Sequence, residues 1–154
     1  MTIIHNPTED LVINATQERQ KIAVVFDLEN TSRKWKVTVV SNNLGGVCEV
    51  RILSKLSASN LECSADLQIK KGANESRLSW YHQAFLADTE SNITTIPLLR
   101  IEQDQVQCAH GVSVASFDPT QIEYLAARGL TRQDAESVLY SALYQSLCDW
   151  VLTK

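Results

Sequence analysis

Between Lys21 and Val114, hydrophobic residues gather in short runs rich in β-branched side chains, at 22–28, 35–40, 47–53, 61–69, 78–86, 94–101 and 106–114. Runs of this length and composition predict strands. Turn-forming clusters separate the first five runs: Glu29-Asn30-Thr31-Ser32, Ser41-Asn42-Asn43 through Gly45-Gly46, Ser57-Ala58-Ser59-Asn60 and Lys71-Gly72-Ala73-Asn74. Val24, Val37, Val50 and Cys63 fall thirteen residues apart. That strand-plus-turn spacing suits a stacked β-solenoid or a sandwich of evenly sized strands, and does not separate the two.

The pattern changes at Phe117-Asp118-Pro119. Asp118 suits an N-cap, Pro119 the first helical position, and Gln121 lies three residues after the cap, so a helix is expected over about 119–128. Gly129 supplies the left-handed stop. Thr131 with Asp134 forms a second, box-like cap, opening a helix of roughly five turns that ends near Val151. The expected organisation is one domain over 1–154, with a β body at 1–117 and a helical hairpin at 118–154. The apolar side chains of the last helix cover an arc of roughly 280°, far wider than a helix resting on one core requires. Either the helix is sandwiched between the β body and the preceding helix, or one face, carrying Tyr140, Tyr144 and Cys148, meets a partner protein.

Composition narrows the classes. With 154 residues, 44% of them hydrophobic, the chain can bury one core and needs no second domain. A net charge of −4 and a longest basic stretch of only Arg33-Lys34-Trp35-Lys36 argue against nucleic-acid binding. The first residues lack a charged and then apolar leader, and no apolar run reaches the length of a membrane span, so a cytoplasmic protein without a membrane partner is expected. Cys48, Cys63, Cys108 and Cys148 are widely separated without paired spacing, which suggests neither a disulfide framework nor a zinc knuckle.

No phosphate loop, dinucleotide-binding glycine motif, zinc-protease helix or nucleophile elbow is present, and five glycines leave little material for one. The chain is therefore read as a non-enzyme. The remaining chemistry lies in Val106-Gln107-Cys108-Ala109-His110-Gly111-Val112, where strand alternation puts Val106, Cys108, His110 and Val112 on one face. A thiol and an imidazole side by side can contact iron or another transition metal, or activate the thiol as a nucleophile; either residue can equally be a core side chain. His82 shares its face with Leu78, Trp80 and Leu86 and is open to the same two readings.

The order of features resembles one family. Pro97-Leu98-Leu99-Arg100-Ile101-Glu102-Gln103-Asp104-Gln105-Val106-Gln107-Cys108-Ala109-His110-Gly111 is similar to the SufB/SufD signature, a Pro-x-Leu-x-Ile strand leading through an acidic turn to Cys-x-His-Gly. Gln121-Ile122-Glu123-Tyr124-Leu125-Ala126-Ala127-Arg128-Gly129-Leu130 resembles the helix end that follows in the family, and Asp134-Ala135 opens the last helix at the matching place. Glu123 stands where the family usually has an aromatic, and Ala127 where it has a small hydroxyl residue. Residues before about Ser76 resemble the family only in texture.

The resemblance implies a right-handed parallel β-helix followed by a helical domain, in a chain far shorter than typical members. It also implies a scaffold or partner subunit that joins a longer SufB-type subunit or a second copy of itself and docks an ABC-type ATPase on its C-terminal helices. The assembly would build transient iron–sulfur clusters. By position, His110 matches a histidine of SufD-type members at the interface where the cluster forms, and Cys108 the cysteine beside it. Gly111 stands where the scaffold-type SufB members carry glutamate, and their functional cysteine falls on His82, so the chain looks closer to the SufD type. Tyr124, Arg128 and Gly129, with Tyr140, Tyr144 and Cys148, are the expected ATPase contacts. Two rival readings remain open: a shortened paralogue that keeps protein contacts without cluster chemistry, and a small thiol hydrolase using Cys108 and His110, which requires a depressed Cys108 pKa.

Overall fold

The hydrophobic runs become nine strands and the tail two helices in the computed structural model, which describes residues 2–153. The strands are β1 (Thr2–His5), β2 (Leu11–Asn14), β3 (Gln20–Glu29), β4 (Ser32–Ser41), β5 (Val47–Ser57), β6 (Asn60–Ile69), β7 (Arg77–Leu86), β8 (Asn92–Ile101) and β9 (Gln107–Ala115). The helices are α1 (Pro119–Ala126) and α2 (Arg132–Leu152). Odd-numbered strands form one sheet, β1-β3-β5-β7-β9, and even-numbered strands a second, β2-β4-β6-β8, with every neighbouring pair parallel. Consecutive strands thus lie in opposite sheets, and two strands make one coil of a flattened β-solenoid. The sandwich alternative is set aside by this pairing.

Gln20 pairs with Cys48, 28 residues on, and Asn60 with Asn92, 32 on. The thirteen-residue spacing of Val24, Val37, Val50 and Cys63 is therefore close to half a coil and steps between the two sheets. Inward positions stack in columns: Val24, Ile52, His82 and Val112 in the first sheet, and Val39, Leu67 and Leu99 in the second. Val24, Val37, Val39, Val50, Leu67 and Trp80 are fully buried between the sheets. Such stacking explains the β-branched composition, since each residue packs against an equivalent one in the next coil. Two short strands, β1 and β2, precede the first predicted run.

The outer face of the first sheet carries a second core. Ala23, Val25, Leu53 and Phe85 lie under Leu147 and Val151 of α2, with Ile3, Phe117, Tyr140, Leu143, Tyr144 and Trp150 packed around them. The cap signals act as expected. Asp118 Oδ1 accepts from the Thr120 N–H at 2.9 Å, Thr131 Oγ1 accepts from the Asp134 N–H at 3.2 Å, and Gly129, at φ 92°, turns the chain between the helices. The far end of α2 is held by Lys21 of β3. Its buried ammonium donates to the carbonyls of Trp150 and Thr153, both at 2.9 Å, and to Thr153 Oγ1 at 2.8 Å. A cation with three acceptors at a helix C-terminus also faces the negative end of the helix dipole. Arg51, ion-paired to Glu49 at 2.8 Å, places its guanidinium 4.2 Å from the centre of the Trp150 ring.

Candidate functional site

Cys108 and His110 lie on the inward face of β9, directly above Leu78 and Trp80 of the preceding coil. No strand pairs with the far edges of β8 and β9 among the described residues, so this inward face is the open end of the solenoid. Cys108 is half-buried and His110 exposed. Around them, Leu99, Ile101, Val112 and Val114 are between 40% and 48% exposed. In earlier coils the same positions are core: Leu67, Ile69, His82 and Ala84 are all buried. Two donors are thus set in an apolar surface flanked by unpaired strand edges.

Desolvation raises the Cys108 thiol above its ordinary pKa, opposite to the depression that a nucleophilic thiolate requires. This speaks against the thiol hydrolase. Cys48 and Cys63 are buried in the solenoid and pushed up to about 12, chiefly by burial. Beside Cys108 opens a cleft of about 760 Å³ bounded by Arg19, Glu49, Arg77, Ser79 and Gln107.

His82 lies one coil below, within the interior and beneath Val112. Its Nε2 is 2.7 Å from Ser54 Oγ, its ring meets Trp80 edge-on at 5.9 Å, and burial lowers its pKa to about 4. The imidazole is therefore neutral at neutral pH. His82 Nδ1, Trp80 Nε1 and Thr95 Oγ1 are buried without a hydrogen-bond partner. The structure puts Cys108 and His110 at the surface of the open end and keeps His82 enclosed beneath them. Among the described residues no three His, Cys, Asp or Glu side chains converge in a metal-binding group.

Gly111, on the outer face of β9, has a steric reason. A Cβ there would sit 3.0 Å from Tyr81 Cδ1 on the adjoining strand, so a side chain at this position requires the Tyr81 ring to give way by a few tenths of an ångström. Arg51, Tyr81, Gln83, Ser113, Leu143 and Ser146 border a groove of about 490 Å³ between this region and α2.

The hairpin divides the remaining candidates. Tyr124 is 58% exposed with the Arg128 guanidinium 3.7 Å from its ring centre, and with Leu125, Val138 and Leu139 it borders a shallow groove between the helices. Tyr140 and Tyr144 instead turn toward the sheet. The Lys55 ammonium stands over the Tyr140 ring, whose hydroxyl pKa is pushed up by burial and the Asp27 charge, and Tyr144 Oη lies 3.3 Å from His5 Nε2. Cys148 is partly buried next to Tyr144. Much of the wide apolar arc is thus covered by the β body, while Val138 remains 48% exposed. Alternation alone points to Cys108 and His110; extending it through Leu99, Ile101 and Val114 would have found the rest of the open face.

The fold is thus a parallel solenoid whose last coil offers a Cys–His pair on an uncovered core face, with a helical hairpin strapped to one sheet. The chain matches the family described as "SUF system FeS cluster assembly, SufBD core domain" over residues 17–143, and it belongs to that family. That match extends the likeness well before Ser76. It is also 37% identical over 73 residues to an iron–sulfur cluster assembly SufBD family protein of Mycobacterium bovis, covering 47% of this chain and 9% of that protein. Against the iron–sulfur cluster assembly protein SufD of Escherichia coli it is 37% identical over 59 residues, covering 38% of this chain and 14% of the relative. The corresponding protein SufD of Bacillus subtilis is 30% identical over 77 residues, with coverage of 49% and 18%. The match therefore spans less than a fifth of each of these relatives. No helix among the described residues is long and apolar enough to cross a membrane.

Proposed function

We propose that the chain is a non-enzymatic scaffold or partner subunit of iron–sulfur cluster assembly whose open solenoid end joins the end of a longer SufB-type subunit or a second copy. The observation that carries this reading is the placement of Cys108 and His110 within the exposed apolar face of the terminal coil. A thiol and an imidazole are donors that suit iron, and two donors do not complete a coordination shell, so the cluster in transit would be held jointly with residues of the partner. His82 would support the site from below without reaching its surface. The C-terminal helices would dock the ABC-type ATPase through Tyr124, Arg128 and the turn at Gly129. The exposed Tyr124–Arg128 stack and the groove lined by Leu125 and Val138 support that part of the reading.

The test is anaerobic co-purification of the tagged full chain with its associated proteins, with iron and sulfide quantified for wild type and His110→Ala. The expected result is recovery of an ATPase and a longer family member, with cluster content lost in the variant while the complex survives. Unchanged cluster content in His110→Ala would overturn the role of the open end in cluster contact. A complex that forms normally without any cluster would favour the protein-binding paralogue.

A further inference from the structure

α2 lies mainly across β1, β3 and β5, and beyond it the outer faces of β7 and β9 floor a groove of about 490 Å³. Strand register sets that floor in two rows, Arg51-Tyr81-Gly111 and Leu53-Gln83-Ser113. Gly111 has no Cβ, and the Tyr81 ring leans over it while staying 40% exposed, which makes an aromatic platform in the groove. On the helix side Leu53 and Leu147 are buried with Leu143 packed beside them, so one wall is apolar and held in place by the core beneath α2. Gln83, Ser113 and Ser146 are exposed and bring an amide and two hydroxyls to the same space. A cavity of this size with an apolar wall and a few convergent polar groups is built like a small-molecule site.

Arg51 supplies the charge. Its Nε and Nη2 both meet Glu49 Oε1, at 2.9 and 2.8 Å, and its guanidinium lies 4.2 Å from the centre of the Trp150 ring and 5.8 Å from that of Tyr81. The side chain is thereby fixed, and its Nη1 donates to no acceptor among the described residues. Glu49 is shared, since Arg19 approaches its other oxygen at 3.5 Å and Lys21 is its neighbour on β3. Three cations around one carboxylate leave a local positive excess in a chain of net charge −4, which favours an anionic ligand over a neutral one. One free guanidinium edge beside hydroxyl groups suits a singly charged carboxylate, whereas a phosphate calls for more donors.

We propose that this groove binds a small organic carboxylate, with the anionic group on Arg51 and an apolar or aromatic body between the Tyr81 ring and Leu143. The site lies on the outer face of β9 and does not rest on the role given to Cys108 and His110 on the inner face. The test is a titration of the full chain with 2-naphthoate and, separately, with the neutral 2-naphthamide, followed through the backbone amide resonances. The acid should give saturable shifts at Tyr81, Gly111, Ser113 and Leu143, with binding at about 1 mM or tighter. The amide should bind about tenfold more weakly, and Arg51→Met should weaken the acid by about the same factor. Gln83→Glu places a carboxylate at an exposed position of the floor. It should weaken the acid by about tenfold and leave the amide unchanged, and it decides the matter if Arg51→Met does not fold. Absence of saturable shifts, shifts confined to Leu99 and Ile101 at the open end, equal binding of acid and amide, or acid binding indifferent to Gln83→Glu would each overturn the proposal.

Discussion

Acidification from pH 7.5 to pH 5 should weaken the fold through one residue, His82. Its imidazole is enclosed between coils, bonded to Ser54 through Nε2, and burial holds its pKa at about 4 against an ordinary 6.5. Because the folded value is lowered, the unfolded chain takes up a proton first as the pH falls. The contribution is complete above about 6.5 and is lost progressively down to about 4. At about 1.4 kcal/mol per pH unit, this amounts to about 2 kcal/mol at pH 5 and about 3 kcal/mol once both states are protonated. The assay is urea unfolding followed by tryptophan fluorescence at pH 7.5, 6 and 5, comparing wild type with His82→Leu/Ser54→Ala, which removes the imidazole and its hydroxyl partner together. Carboxylates common to both proteins cancel in the difference. The variant should lose about 2 kcal/mol less than wild type over this range. Equal losses, or a His82 resonance titrating near 6.5 in the folded protein, would refute the enclosed, neutral imidazole.

Lys21→Met should cost about 2 to 3 kcal/mol, because it removes the buried cation that three acceptors at the end of α2 share, and should speed hydrogen exchange in the last turns of that helix. Unchanged exchange there would show that α2 is held by its apolar face alone. Gly111→Val should destabilise by about 1 to 3 kcal/mol through its clash with Tyr81, and Tyr81→Ala should recover part of the loss in the double variant; no recovery would place the strain elsewhere. Asp88 accepts from the N–H groups of Ala58, Glu90 and Ser91, and the Ala58 bond leads in lowering its pKa to about 2 from 3.8. The stability it supplies is present above about 3.8 and lost as pH falls toward 2, so Asp88→Asn should flatten the acid limb of a pH–stability curve in that window. An unchanged limb would remove the carboxylate from the account.

Local signals made the strands and caps readable. Each run from Lys21 to Val114 is short and rich in β-branched residues, and Asp118, Pro119, Gly129 and Thr131 carry their roles in their own chemistry. β1 and β2 escape because four residues are too few for a period, and they are strands only because β3 and β4 lie alongside. The spacing of thirteen marks half a coil, and nothing along the chain says that alternate strands belong to different sheets. Cys108 and His110 are legible as sharing a face, but whether that face is buried depends on whether another coil follows. Tyr140 and Tyr144 read as exposed or covered only once α2 is placed on the sheet. Lys21 resembles any surface lysine of an alternating strand, since its three acceptors come from residues near the other end of the chain.

The strap formed by α2 changes how the molecule can come apart. A stack of coils that touch only their neighbours can open one coil at a time. Here α2 lies across β1, β3 and β5 and is tied at its end to Lys21, so releasing the last helix and loosening the first coils are one event. The early coils and the helix form a single cooperative unit. β8 and β9 have no such strap and hang on one neighbouring strand each, so they are the first segment expected to open. The coil that carries Cys108 and His110 can thus breathe and reshape against a partner while the body behind it stays folded.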